Sequence, residues 1–182
     1  FVSVGWAGIL GGWTFFNERG LFVANTLGGG WERNPKGVPT LILERIIAQK
    51  AASVEEAVEI VRRTPRMRGQ GLVIAQAGDA DAGVAPAAVM VNYDAETVEV
   101  ERAAGGFAFD TSVGTDPRAL AKRLRNADRA PTDAIRRAGT GITLHSVAIR
   151  PRALRMWVAH GLSSSAHEGR YVEYDLRALL RR

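Results

Sequence analysis

Three histidines, a run of serines and several glycine clusters are the residues of this chain whose types can do chemistry. His167 follows Ser163, Ser164 and Ser165, and a Ser–His pair makes a nucleophile and its base when a scaffold holds the two in register. The spacing is not that of a G-x-S-x-G elbow, and a loop positions such a pair poorly, so loop polarity is expected there and not catalysis. His145 falls inside a predicted strand and His160 ends another, which makes both structural in expectation. The chain has no H-E-x-x-H helix, calcium loop or histidine cluster; no metal and no other cofactor is expected. Gly28–Gly30 and Gly69-Gln70-Gly71 lack the G-K-[ST] ending and the G-x-G-x-x-G spacing of phosphate cradles, so they read as turn glycines.

Composition narrows the chemistry further. The 182 residues contain no cysteine, which removes disulfides, Cys-ligated metals and any thiol nucleophile from within them. Apolar residues make up 46% and charged residues 24%, enough to bury a core, and one domain over 1–182 is expected. The net charge of +5 is dispersed, and its densest stretch, Arg118–Arg137, is interrupted by Asp128 and Asp133 and carries no aromatic residue. Nucleic-acid surfaces concentrate charge on one face and interleave aromatics, so no nucleic-acid partner is expected. No apolar run approaches the ~18 residues of a membrane span, and nothing reads as an export signal. A cytoplasmic protein without a membrane partner is the expectation.

The elements that must position these residues alternate in runs. Phe1–Ala7, Gly12–Phe16 and Leu21–Leu27 have the β-branched and aromatic enrichment of strands, with Asn17–Gly20 as a tight turn between the last two. Residues 28–37 form a loop. Pro39–Ala51 reads as a helix with Ile42, Leu43, Ile46 and Ile47 on one stripe. Ser53-Val54-Glu55-Glu56 is a capping box that starts a second helix, stopped by Pro65. Gly71–Ala77, Ala87–Tyr93, Val98–Ala103 and Phe107–Thr111 read as strands, with a turn over Asp94–Thr97. Helices are predicted from Asp116 to about Asp128 and over Thr132–Ala138. A hairpin of Thr143–Ile149 and Leu154–His160, a strand over Tyr171–Leu176 and a charged end at Arg177–Arg182 complete the chain. Strand runs joined by short turns argue for antiparallel sheets with helices packed outside, an α+β class.

The order of several short motifs resembles a known family. Gly5-Trp6-Ala7-Gly8, then Gly12 and Asn17-Glu18-Arg19-Gly20-Leu21, are similar to the G-W-x-G and G-x-N-E-x-G-L region of the acyl-coenzyme A:6-aminopenicillanic acid acyltransferases, relatives of penicillin V acylase and bile salt hydrolase. Pro39 with Leu41–Arg45, the capped helix at Ser53–Ala57, Gly71–Ala75 and the T-L-x-S-V…L-x-M-W-V-A-x-G pattern at Thr143–Gly161 extend the likeness. The resemblance implies a four-layer αββα sandwich of the N-terminal nucleophile hydrolase type, and hydrolysis of, or acyl transfer from, a linear amide. In that family a Cys exposed by autocleavage attacks the carbonyl, its own α-amine serves as base, and amide donors hold the oxyanion.

Matched residue by residue, Asn17 carries over with Glu18 and Gly20 in the hairpin, and Asn25 stands near the position where the resemblance puts the backbone oxyanion donor; both are candidate oxyanion or substrate contacts. Thr111 stands where an Asn donor is usual, and its shorter hydroxyl reaches less far. Trp31 and Arg33, in the glycine-rich loop, are candidates to line a substrate pocket. The family nucleophile and its Arg/Asp pair have no counterpart between Phe1 and Arg182, so the expectation is a fold incomplete at its N-terminus and inactive as this chain. A small acyl or amide substrate is the expected partner once that segment is supplied. The alternative is a non-catalytic binding module that keeps the fold; an open sheet edge beside apolar surface makes a homo-oligomer its expected form.

Overall fold

A computed structural model gives the architecture; the residues described are 1–26, 28–78, 81, 83–103, 132, 145–161 and 165–180. The chain divides into two compact units, Phe1–Asp110 and Thr111–Arg182.

The first unit is an antiparallel meander. Its strands β1 (Val2–Val4), β2 (Thr14–Phe16), β3 (Leu21–Thr26), β4 (Gln70–Gln76), β5 (Ala87–Tyr93) and β6 (Val98–Arg102) lie in sequence order across one sheet. Helices α1 (Thr40–Lys50) and α2 (Val54–Arg63) fill the β3–β4 connection. The period of two along β4 and β5 sends Leu72, Ile74, Val89, Val91 and Tyr93 to one face, where they meet Leu43, Ile47, Val54, Ala57, Val58 and Val61 of the helices. Each such aliphatic side chain contributes about 1.5–3 kcal/mol on leaving water.

The β2–β3 turn closes as expected: Gly20 takes a φ of +81°, and its N–H donates to Asn17 O at 3.1 Å. Ser53 caps α2, its Oγ accepting from Glu56 N at 3.1 Å; the Glu56 carboxylate in return accepts from one residue further back, Ala52 N, at 2.8 Å. In the β5–β6 turn Asp94 Oδ1 accepts from Glu96 N, Thr97 N and Thr97 Oγ1, which holds its carboxyl below the usual range. Among the described residues no carboxylate neutralises buried Arg66; its guanidinium donates to the carbonyls of Val61, Arg62, Thr64, Asp94 and Ala95, tying the end of α2 to that turn.

Four expectations need correction in this unit. The first strand is short, Val2–Val4 instead of Phe1–Ala7, and Thr14 instead of Gly12 begins the second. Strand β4 begins at Gln70, one residue early. The buried stripe of α1 is rotated: Thr40, Leu43, Glu44, Ile47 and Ala48 point inward, while Ile42 and Ile46 are only partly covered. Glu44 is inside because β3 offers it a hydrogen-bond donor.

In the second unit β7 (His145–Arg150), β8 (Arg155–His160) and β9 (Val172–Asp175) form an antiparallel sheet. Trp157 Nε1 donates to Glu173 at 3.2 Å, and Arg155 pairs with Glu173 and Asp175. Strand β9 stops at Asp175 and gives way to a short helix, α3 (Leu176–Leu180), where a strand end and a charged tail were expected. Fully buried Leu176 anchors it, its N–H donating to Leu154 O at 2.8 Å. The strand predicted at Phe107–Thr111 and the helices predicted over 116–128 and 132–138 lie outside the described elements.

Candidate functional site

A cleft of about 450 Å³ opens at the end of the first sheet where β3 and β5 finish and β2 and β4 begin. Ile9, Leu10, Trp13, Leu41 and Met67 make its walls apolar, while Asn25, Thr40 and Arg68 bring polar groups. Apolar walls with a few convergent polar groups are the usual composition of a small-molecule site.

Local structure explains why these side chains converge. Asn25 follows the β2–β3 pairing, and its backbone N–H is committed to Trp13 O at 2.8 Å. Its side chain is held at both ends: Nδ2 donates to Glu44 Oε1 at 2.7 Å, and Oδ1 accepts from Gln70 Nε2 at 2.9 Å. Gln70 Nε2 also donates to Thr26 O, and Gln70 Oε1 accepts from Arg68 Nη2 at 3.3 Å. An amide nitrogen carries two N–H groups, so among the described residues Asn25, which lines the cleft, keeps one uncommitted.

Below this network lies a set of buried polar atoms with little support. Thr40 and Glu44, one turn apart on α1, face Tyr93 of β5. Thr40 stands beside the Tyr93 phenol and eases its ionisation slightly, but the two hydroxyls do not reach hydrogen-bond geometry. Thr40 Oγ1, Glu44 Oε2 and Tyr93 Oη are all buried without a hydrogen-bond partner, as is Trp13 Nε1. Glu44 has no exposure at all, and burial pushes its carboxyl up to about 8 against the pull of Asn25. Burial likewise drives the Tyr93 phenol well above its usual range. At neutral pH the cluster is therefore uncharged: Glu44 is an acid that holds its proton.

The residues singled out from sequence separate clearly. Asn17, 2% exposed, is fully occupied: Nδ2 donates to Ala48 O at 3.1 Å and Ala51 O at 2.8 Å, and Oδ1 accepts from Arg19 N and Leu21 N. It closes the β2–β3 turn and caps the end of α1, with no N–H left for a ligand. Asn25 lines the cleft. Trp31 is 89% exposed and Arg33 is exposed, and neither lines the cleft. Their loop is held aside by glycine packing: a Cβ on Gly29 would meet Gln70 N at 2.2 Å, and one on Gly30 would meet Asp94 Oδ2 at 1.9 Å. The three glycines thus serve close backbone approach. Thr111 lies outside the described residues.

Glu44, Gln70, Arg68, Thr40 and Trp13 were not singled out from sequence. The signal for Glu44 was present: positions 40, 43, 44, 47, 48 and 51 follow the i, i+3, i+4 spacing of a buried face, with an acid inside it.

In the second unit Ser165 Oγ and His167 Nδ1 are 2.7 Å apart, but both belong to one tight turn that starts the 3-10 helix Ala166–Glu168, and His167 is buried there. The pair closes its own turn. His145 and His160 sit opposite one another on β7 and β8; burial, then the charge of His160, holds His145 below its usual range. No group of three metal-ligating side chains occurs among the described residues, and none of their helices is long and apolar enough to cross a membrane.

No individual curated protein matches the chain. The family model described as acyl-coenzyme A:6-aminopenicillanic acid acyl-transferase matches residues 1–98, the β1–β5 meander with both helices and the cleft. The Thr143–Gly161 pattern lies beyond that match. With 98 of its 182 residues matched, the chain belongs to the acyl-coenzyme A:6-aminopenicillanic acid acyltransferase family.

Proposed function

We propose that the cleft is the substrate end of an acyl-transfer site acting on linear amides, by hydrolysis or by transfer of the acyl group. The observation that carries this reading is Asn25, which lines an apolar cleft with Arg68, is fixed by Glu44 and Gln70, and among the described residues keeps one amide N–H uncommitted. The apolar walls suit an acyl chain, and the amide and guanidinium suit a carbonyl or carboxylate. Preorganised donors of this kind stabilise the oxyanion of acyl transfer, where one donor contributes about 3–4 kcal/mol. The four-layer N-terminal nucleophile arrangement belongs to this proposal; the antiparallel sheets and the helix pair on one sheet face are compatible with it.

The same 182 residues hold no cysteine, so in this reading they supply the scaffold and the substrate contacts but not the attacking thiolate. They bring no amide turnover by themselves. Assays of the 182-residue chain with phenoxymethylpenicillin and with an N-acyl amino acid test this, and release of a free amine by the purified chain would overturn it.

A second reading is favoured by a specific surface. Leu10 is 77% exposed, its neighbours Trp6 and Ile9 are also exposed, and β1 is an edge strand among the described ones. A self-associating binding module would use that face. Light scattering separates the readings, since a monomer at high concentration contradicts the second.

A further inference from the structure

Four side chains connect the cleft rim to the buried acid, and every bond in the series runs in the same sense. Arg68 Nη2 donates to Gln70 Oε1 at 3.3 Å, Gln70 Nε2 to Asn25 Oδ1 at 2.9 Å, and Asn25 Nδ2 to Glu44 Oε1 at 2.7 Å. Hydrogen bonds aligned head to tail polarise one another, so a change at one end is felt along the series. We propose that Glu44 is a positioning residue of the cleft: its carboxyl fixes the Asn25 carboxamide and, through Gln70, the Arg68 guanidinium, so that the protonation state of Glu44 sets the polar end of the site. This rests on the cleft being the substrate end, as proposed above, and adds its control.

The surroundings make Glu44 suited to the task. Asn25 is the one described group that hydrogen-bonds it, and its second oxygen has no partner. From β5 it faces Tyr93, a phenol that stays protonated. Arg66 and Arg68 are the cations bearing on that cluster; Arg66 is spent on five carbonyls, and Arg68 stands at the rim with Gln70 in between. On its own helix the inward neighbour is Thr40. The other elements packed on α1, β2 and the buried face of α2, present Thr, Phe, Val and Ala. Among the described residues no cation compensates a carboxylate at this position, so the neutral acid is the resting form. On ionisation the Asn25 N–H···O bond becomes charge-assisted and shortens, the Asn25–Gln70–Arg68 series tightens toward the new charge, and the rim becomes less receptive to an anionic ligand.

The test needs neither ligand nor turnover, so its failure is distinguishable from failure of the acyl-transfer reading. In carbon-detected NMR of the full 182-residue chain, Glu44 Cδ, Asn25 Cγ, Gln70 Cδ and Arg68 Cζ are expected to titrate with one common midpoint of about 8. In Glu44→Gln the other three hold their low-pH positions and do not titrate, because Gln reproduces the neutral acid. In Glu44→Leu those positions are lost. In Gln70→Leu the Asn25 signal still titrates while Arg68 no longer follows. Titration of Glu44 in the ordinary carboxylate range overturns the proposal. So does an Arg68 signal that follows Glu44 equally well in Gln70→Leu, which would mean that a field through space, not the side-chain series, links them.

Discussion

Replacing Glu44 by Gln should remove a pH-dependent loss of stability, and its size follows from burial. The folded chain holds the Glu44 proton up to about 8, whereas an unfolded glutamate releases it near 4.5. Between those values the native state binds more protons than the unfolded state, so stability falls as pH rises. The slope is about 1.4 kcal/mol per pH unit, which between about pH 5 and pH 8 amounts to at most about 4 kcal/mol. Glu44→Gln keeps an acceptor for Asn25 Nδ2 and carries no titrating proton. The two proteins should therefore differ by less than about 1 kcal/mol near pH 5, with Gln increasingly the more stable toward pH 8. Urea unfolding followed by tryptophan fluorescence at half-unit pH steps measures this. Asp94 and Glu18, both held below their usual range, stabilise the fold above that range and lose their effect only in acid, outside the window. His145 is held low and so works in the opposite direction just below its ordinary value, but it is present in both proteins and cancels in the difference. Parallel stability profiles for wild type and Glu44→Gln from pH 5 to 8 would refute the neutral buried acid.

Two further substitutions test the frame around the cleft. Asn17→Ala removes four hydrogen bonds and strands the carbonyls of Ala48 and Ala51, for an expected loss of about 3 kcal/mol in urea titrations; a loss under about 1 kcal/mol would show that the turn does not depend on it. Gly69→Ala would place a Cβ 1.9 Å from Gly30 O and should cost about 2 kcal/mol or more, while Gly5→Ala, whose Cβ meets its nearest atom at 3.7 Å, should change the unfolding midpoint little.

Much of this architecture could be read from local chemistry. The Asn17–Gly20 turn, the Ser53 cap, the Asp94–Thr97 turn and the limits of β5 depend on neighbours within a few residues, and each appears where its residues predict it. The motif order led to the family that the match over 1–98 shows. The site was less legible because it is built from partners distant in sequence. Glu44 reads as a surface charge on a helix until β3 places Asn25 against it, 19 residues away, and Gln70 reads as a strand-edge residue until it meets Asn25 from 45 residues away. The surroundings of Asn17 were hidden for the same reason: its four partners include the carbonyls of Ala48 on α1 and Ala51 just after it, which no turn motif announces. Leu176–Leu180 turned helical because Leu176 found a buried place and a carbonyl at Leu154.

Binding of an acyl compound in the cleft lined by Asn25 is what the proposed function requires. Titrating the isotope-labelled chain with hexanoylglycine, a linear amide with an apolar acyl group and a carboxylate, tests it most directly. The account predicts saturable shifts of the Trp13 indole N–H, the Asn25 carboxamide and the Arg68 guanidinium, reduced at least tenfold in affinity by Arg68→Ala. Saturable shifts confined to other surfaces, such as the groove lined by Ile46, Lys50, Glu59 and Arg63 between the two helices, would contradict it, as would the absence of any shift at the cleft.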